Sequence, residues 1–550
     1  MSRHFASWVR GSLLASGLAL GVTLRVEGIG DAALFGDEYH TFLSCQESTA
    51  KILTTFDDVG SHVVLPLAQK ASLALFGDGI VSFRLVALVP GILLLLLAYP
   101  LARAFVDPTS ALLATLALAV SPIHVYYSRF ARSYALGILL GVLFAWVLLR
   151  ALRAEKRAWG SWAAVAVLAA SLPYTHLTSA GFVAALGLVA LLLVRRRPAG
   201  LRPALLAFAA AALVLCVLFA PLLSQVRHYF SGALPEEEKA RPLTGFGIPF
   251  LLAGGAAEAW VAFLLVPLGW AALLRSRRDA AVFAAAAIAG PWLVLVAAQP
   301  RGMEYAHARY LLNALPFLVL LAAGGIVSVA RFAARNERAG EILALGAGAL
   351  ALGASFLAGP LAPARREHGP FSNTYLALHP LPAFDVPWPG RSPFYDELAP
   401  PDESTGGRGA LSIVETPTMQ SRSVLLWRDL ARTHGNEVLL GWPGPLPATL
   451  RGGPYVELDE LGPGDADYVV LHRNLRKEVD DYWDFVYGEV WPKREDAVDR
   501  GFMELHKATF VHSQPGTDPA FATTLAAHLK DRCGPAVYKD ETLLVWKIGP

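Results

Sequence analysis

The chain is 550 residues long, 54% hydrophobic and only 17% charged, with 47 Lys and Arg against 45 Asp and Glu for a formal net charge of +2. That balance excludes an ordinary soluble protein and gives no electrostatic footprint for nucleic acid. Of the three cysteines, Cys216 lies within an apolar run.

Apolar runs of membrane-crossing length recur from the N-terminus to Pro360 and then stop. At about 20 residues per span they amount to roughly eleven crossings. The first six lie near Gly11–Val26, Phe83–Phe105, Ser110–Ile123, Ser133–Leu152, Trp159–Leu172 and Thr178–Val194. The other five lie near Pro203–Leu223, Phe250–Leu274, Ala280–Ala298, Tyr310–Ala330 and Glu341–Ala358. The first span has no small-x-small cleavage site and is followed by many others, so it reads as an anchor rather than a secretory signal.

Between the first two spans, Asp37 and Glu38 form an acidic pair just past the apolar run. Two adjacent carboxylates at a lipid–water boundary are costly to place, which argues for a task. The stretch from His62 to Phe76 is apolar but too short to cross, and carries Gln69 and Lys70; it predicts an interfacial or re-entrant helix ended by Gly77-Asp-Gly79. A second break is predicted at Ser121–Tyr134, where Arg129 and Arg132 lie three apart and share a face if the helix has already begun.

Basic loops at Arg153–Arg157, Arg195–Arg202, Arg275–Arg278 and Arg331–Arg338 fall on one side of these spans. On the other side fall the acidic pair, the Tyr174-Thr-His176 turn, the Glu236–Glu238 loop and the Gln299–Arg309 loop. The positive-inside rule then puts the N-terminus in the cytoplasm and everything after Pro360 outside. Cys45 and Cys533 both face outward, where a disulfide is permitted but nothing in the sequence brings them together.

We expect a transmembrane domain over 1–360, a linker over 361–408 and a small mixed α/β domain over 409–550. Strands are predicted at Ala410–Val414, Glu437–Leu440, Asp467–Leu471 and Thr542–Trp546, and helices at Ser421–Thr433, Leu475–Tyr487 and Ala520–Lys530. Val537–Trp546 reads as a hairpin turning at Asp540 and Glu541.

The outer ends collect cations. Arginine suits phosphate because its planar fork matches the oxygens. Arg129, Arg132, Arg309 and Lys70 are the candidate phosphate ligands, with Arg301 and His307 on the same surface. His62, Tyr134, His176 and Tyr310 are the candidate pocket residues. Interfacial Arg and Tyr also anchor helix ends with no chemical role, so any one of them alone says little. The acidic runs at Glu236–Glu238 and Asp402-Glu403 read as solvated loops. A divalent cation is an option at Asp37 and Glu38, although two carboxylates are a weak metal signature. No Cys/His metal spacing, Gly-Lys-Ser/Thr phosphate loop or Gly-x-Ser-x-Gly elbow occurs, which disfavours an ATP-driven pump and a serine hydrolase.

In order along the chain, Phe35-Gly-Asp-Glu-Tyr-His40, Leu67–Asp78 leading to Phe83-Arg-Leu85, Ser121–Tyr134, Tyr174-Thr-His176 and Ala308-Arg-Tyr-Leu-Leu312 carry a resemblance. The series resembles the type C (GT-C) membrane glycosyltransferases that use polyprenyl-phosphate sugars, within them the protein-O-mannosyltransferase and aminoarabinose transferase relatives. The resemblance implies Asp37 as the base toward the acceptor, Glu38 assisting, and Arg132 and Arg309 as the clamp on the lipid phosphate. Arg129, Lys70, His62 and His176 would be secondary. It implies an undecaprenyl-type sugar donor, inversion at the anomeric carbon, and a lipid, glycan or protein acceptor in the cell envelope of a bacterial inner membrane. The chain departs from many relatives at His62-Val-Val64, where they carry His-Pro-Pro, and at Phe130, where some carry an acid. A non-catalytic lipid-phosphate carrier or transporter, and an envelope-assembly protein, remain open as alternatives.

Overall fold

Among the described residues, the apolar segments named above are mainly helical in the computed structural model. It describes residues 3–34, 37–56, 63–154, 158–195, 198–231, 256–298, 309–358, 361, 388–398, 411–416, 426–427, 430–431, 434, 436–442, 444–451, 454–462, 464–485 and 519–549. These form two units interleaved in sequence: 1–27, 41–72 and 84–365 make the first, and 28–40, 73–83 and 366–550 the second.

The helices run α1 (Arg3–Val26), α2 (Asp37–Gln46), α3 (Thr49–Thr54), α4 (Val64–Phe76), α5 (Ile80–Ala102) and α6 (Pro108–Ala119). They continue as α7 (Pro122–Arg129), α8 (Tyr134–Arg153), α9 (Trp159–Thr175), α10 (Ala180–Val194), α11 (Pro198–Phe219) and α12 (Leu223–Ser231). Ala256–Ser276, Arg278–Ala298, Leu315–Ala333 and Glu337–Ala358 follow. Among the described residues seven helices are long and apolar enough to cross a membrane, eight if α6 and α7 make one bent span. Of the other predicted spans, α9 has 17 residues, while the helices Ala256–Ser276 and Arg278–Ala298 have 21 each.

Local chemistry sets the helix ends. Asp107 caps α6 by accepting from the Thr109 and Ser110 amides, and Ser121 caps α7 by accepting from the His124 amide; each is followed by a proline at the first helical position. Gly77 ends α4 at φ +87°, a conformation that suits glycine. Phe105, Phe144, Phe182 and Phe317 pack at the centre of the first unit, with ring centroids 5.8–6.4 Å apart. Ala256–Ser276 and Leu315–Ala333 cross with their backbones nearly touching: a Cβ on Gly269 would lie 1.8 Å from the Leu321 carbonyl oxygen. Ion pairs Arg153–Asp279 (2.7 Å), Arg331–Asp107 (3.1 Å) and Arg10–Glu341 (3.0 Å) tie the ends that the sequence assigns to the cytoplasm.

The second unit is built on a six-stranded mixed sheet of order β3-β2-β1-β4-β6-β5. Its strands are β1 (Ser412–Thr416), β2 (Glu437–Trp442), β3 (Tyr455–Glu457), β4 (Tyr468–His472), β5 (Tyr538–Lys539) and β6 (Leu543–Lys547). The first four are parallel, while β6 and β5 run antiparallel, so the predicted hairpin is present. On one face Val414, Val469, Leu471 and Trp546 pack with Leu525 and Leu529 of helix Pro519–Cys533. Leu475–Phe485 is helical as predicted, and within 421–433 the described residues 426–427 and 430–431 are helical. Strand β3 was not foreseen. Cys45, in the first unit, and Cys533, in the second, are each a free thiol.

Candidate active site around the α7–α8 break

The backbone leaves the helix at Phe130, which is extended (φ −91°, ψ 118°), and re-enters it at Tyr134. Arg129 therefore closes α7 while Arg132 lies in the break, and the shared helical face expected of them does not exist. An i,i+3 relation needs continuous helix, and the chain turns between them.

Each cation has its own surroundings. Arg132 is buried, with Nη1 donating to the Thr41 hydroxyl at 2.9 Å. Arg129 donates to the carbonyls of Leu24 (3.1 Å) and Glu27 at the end of α1. Lys70 donates to the carbonyls of Cys45 (2.8 Å), in the last turn of α2, and Glu47 (2.9 Å), just after it, where a cation complements a helix C-terminus. Beside it, the buried Gln69 donates to the Ala131 carbonyl at 3.3 Å, tying α4 to the break.

Four predicted residues meet in the first unit. His176 follows α9 in extended conformation, its Nδ1 2.7 Å from the Thr178 hydroxyl. Its ring lies 5.0 Å from that of Tyr134 and 5.7 Å from that of Tyr310. Arg309 stacks over the Tyr310 ring at 5.2 Å and donates to its hydroxyl at 3.3 Å. Arg309 and Tyr310 open the 3-10 segment Arg309–Ala314, which Asn313 ties to Ser179 through a 2.9 Å bond. Thus α8, the turn after α9 and the 3-10 segment converge, and Tyr127 extends the group by stacking edge-on to Tyr134 at 4.7 Å. Such a wall pairs aromatic faces with a guanidinium, which suits a ligand that is part sugar ring and part phosphate.

Asp37 and Glu38 belong to the second unit, in the first turn of α2, where the helix dipole favours carboxylates. Glu38 is fully buried and Asp37 half-buried. Among the described residues no group of three or more His, Cys, Asp or Glu is placed to hold a metal ion. His62, Arg301, His307, Glu236–Glu238 and Asp402-Glu403 lie outside the described residues.

Two buried polar centres escaped the sequence reading. Arg25, at the end of α1, is 0% exposed; a charge at a span end was the available signal. In the second unit His472 bridges two carboxylates, Glu415 at 2.7 Å and Glu478 at 2.6 Å. Burial alone would lower the imidazole pKa, but Glu478 and Glu415 reverse this and push it up to about 10.

Residues 62–224 match the family model described as dolichyl-phosphate-mannose-protein mannosyltransferase. No curated protein matches the chain. Among solved structures the chain is similar to ArnT from Cupriavidus metallidurans in the apo state, at 15% identity over 99% of this chain and 98% of that one, with a TM-score of 0.46. The same protein bound to undecaprenyl phosphate matches at 15% identity over 86% and 94%, with a TM-score of 0.46. Archaeal oligosaccharyltransferase AglB from Archaeoglobus fulgidus matches at 13% identity over 87% and 71%, with a TM-score of 0.48. The family match includes Lys70, Arg129, Arg132, Tyr134 and His176, and meets the GT-C resemblance read from the motifs over that stretch.

Proposed function

We propose that this chain is a membrane glycosyltransferase that moves a sugar from a polyprenyl-phosphate carrier to an envelope acceptor. Transfer takes place at the outer face of a bacterial inner membrane, with the N-terminus cytoplasmic and the sheet unit outside. The observation that carries the reading is the convergence of Tyr134, His176, Tyr310 and Arg309, two of them within the matched stretch 62–224.

In this reading Asp37 is the base and Glu38 orients it. Asp37 takes the proton from the acceptor hydroxyl or amine as that atom attacks the anomeric carbon. The bond from that carbon to the phosphate oxygen breaks, and its electron pair leaves with the lipid phosphate. Arg132 and Arg309 stabilise the charge gathering there. Attack opposite the phosphate inverts the anomeric centre. The sugar and the acceptor are left open.

The test compares envelope glycans and lipids by mass spectrometry in cells carrying wild type, Asp37→Asn or no protein. A transferase loses its glycosylated product with Asp37→Asn as completely as without the protein, while its binding of undecaprenyl phosphate persists. A lipid-phosphate carrier keeps its product level with the amide of the same shape, and that result would sink the catalytic reading.

A further inference from the structure

Arg25 is a buried charge with no role in the reaction above. It sits in the last turn of α1, inside a predicted span, and carboxylates are absent from its partners. Its Nη1 donates to the carbonyls of Gly21, in its own helix, and Ala119 (3.0 Å). Nη2 donates to the Leu118 carbonyl (3.2 Å) and to Nδ1 of His124, and Nε to the Ser128 hydroxyl (3.3 Å). Leu118 and Ala119 end α6, where carbonyls carry partial negative charge; the Leu118 oxygen also accepts from the Val120 and Ser121 amides that cap the helix. His124 accepts at Nδ1, so the proton of its neutral ring sits on Nε2.

Arg129 makes the converse contact. From the last position of α7 it donates to Leu24 and Glu27, the carbonyls that end α1. Each element therefore caps the other with an arginine, and the pair straddles the 55° bend between α6 and α7. A lysine could not reproduce this, because one ammonium cannot reach the α6 carbonyls, His124 and Ser128 together. Arg132 lies three residues beyond Arg129, so a shift of α7 is passed directly to it.

We infer that Arg25 is a positioning residue: by pinning the α6–α7 bend to α1, it fixes where Arg132 meets the lipid phosphate. This rests on the proposed donor-binding role of Arg132, and the experiment separates the two. Full-length protein in nanodiscs is titrated with undecaprenyl phosphate as wild type, Arg25→Lys, Arg132→Ala and the double variant.

Arg132→Ala is expected to weaken binding at least about tenfold through loss of a charged contact. Arg25→Lys is expected to weaken it about tenfold through misplacement. Because Arg25 acts through Arg132, the double variant should match Arg132→Ala within about twofold. Wild-type affinity in Arg25→Lys, or a double variant showing the product of the single effects, overturns the inference and leaves the donor reading standing. Absence of binding in wild type overturns the donor reading and the inference with it. If Arg25→Lys fails to fold, Ser128→Ala removes only one partner; about twofold weakening that vanishes in the Arg132→Ala background supports the inference, and unchanged affinity overturns it.

Discussion

Replacing His472 with Gln should loosen the sheet unit by a large and calculable amount. The ring is 0% exposed and held from both sides, Nε2 by Glu415 and Nδ1 by Glu478, while the Tyr395 hydroxyl donates to both Glu415 oxygens at 2.9 and 3.1 Å. Glutamine keeps one donor group but no charge, so both carboxylates lose their cation. Removing one partner of a buried ion pair costs about 3–5 kcal/mol. Native-state hydrogen exchange reads this locally in the full-length protein: amide protection in β1 and β4 should fall by roughly 10²- to 10⁴-fold, if those amides exchange by opening of the unit. The pH dependence has a definite sign. The folded pKa of about 10 exceeds the ordinary value of 6.5, so the contribution is whole below 6.5 and is lost as pH rises through about 10. Wild-type protection, corrected for intrinsic rates, should decline from pH 7 to 10, and the variant should lose that slope. Protection within about threefold of wild type in the variant, or a wild type that gains protection on alkalinisation, would refute the buried-imidazolium account.

Other expectations follow from single contacts. Arg309→Ala should weaken undecaprenyl phosphate binding about 10- to 100-fold, whereas Tyr310→Phe, which removes one 3.3 Å bond and keeps the ring, should cost no more than about fivefold; equal losses would contradict the clamp assignment. Gly269→Ala drives a methyl group into the Leu321 carbonyl and should destabilise the helix crossing by about 1–3 kcal/mol, read as a lower melting temperature in detergent; an unchanged melt would mean the helices separate freely. Lys70→Met should cost about 0.3–1 kcal/mol by uncapping α2, with donor affinity unchanged, and a loss of affinity would return Lys70 to the phosphate site.

The helices were legible because hydropathy over a span reports a property of the segment itself, and because Asp107-Pro108 and Ser121-Pro122 carry their caps in adjacent residues. The hairpin closing on Asp540 was legible for the same reason. Strand β3 was not, since three residues are too few to show a period of two. Tyr134, His176, Arg309 and Tyr310 were named from predicted helix ends and lie together in the structure, but no spacing in the sequence shows which cations donate to helix-end carbonyls. Arg129 and Lys70 donate to backbone carbonyls, contacts that carry no signal in the sequence. Arg25 was missed because all its partners except the Gly21 carbonyl lie about a hundred positions away, two of those distant ones being backbone oxygens that carry no sequence signal.

The Leu34 amide donates to the Tyr455 hydroxyl at 2.9 Å, across 421 positions of chain. Leu34 comes three residues before Asp37, so this latch cannot close until β3 has been synthesised. At ordinary elongation rates the wait is roughly 20–80 s. During that interval the early helices are already in the bilayer while the proposed base lacks one of its fastenings. Translation thus imposes a timetable: a nascent or truncated chain lacking residue 455 would expose a half-built centre to lipid carriers without the latch, which delays full competence until most of the polypeptide has emerged.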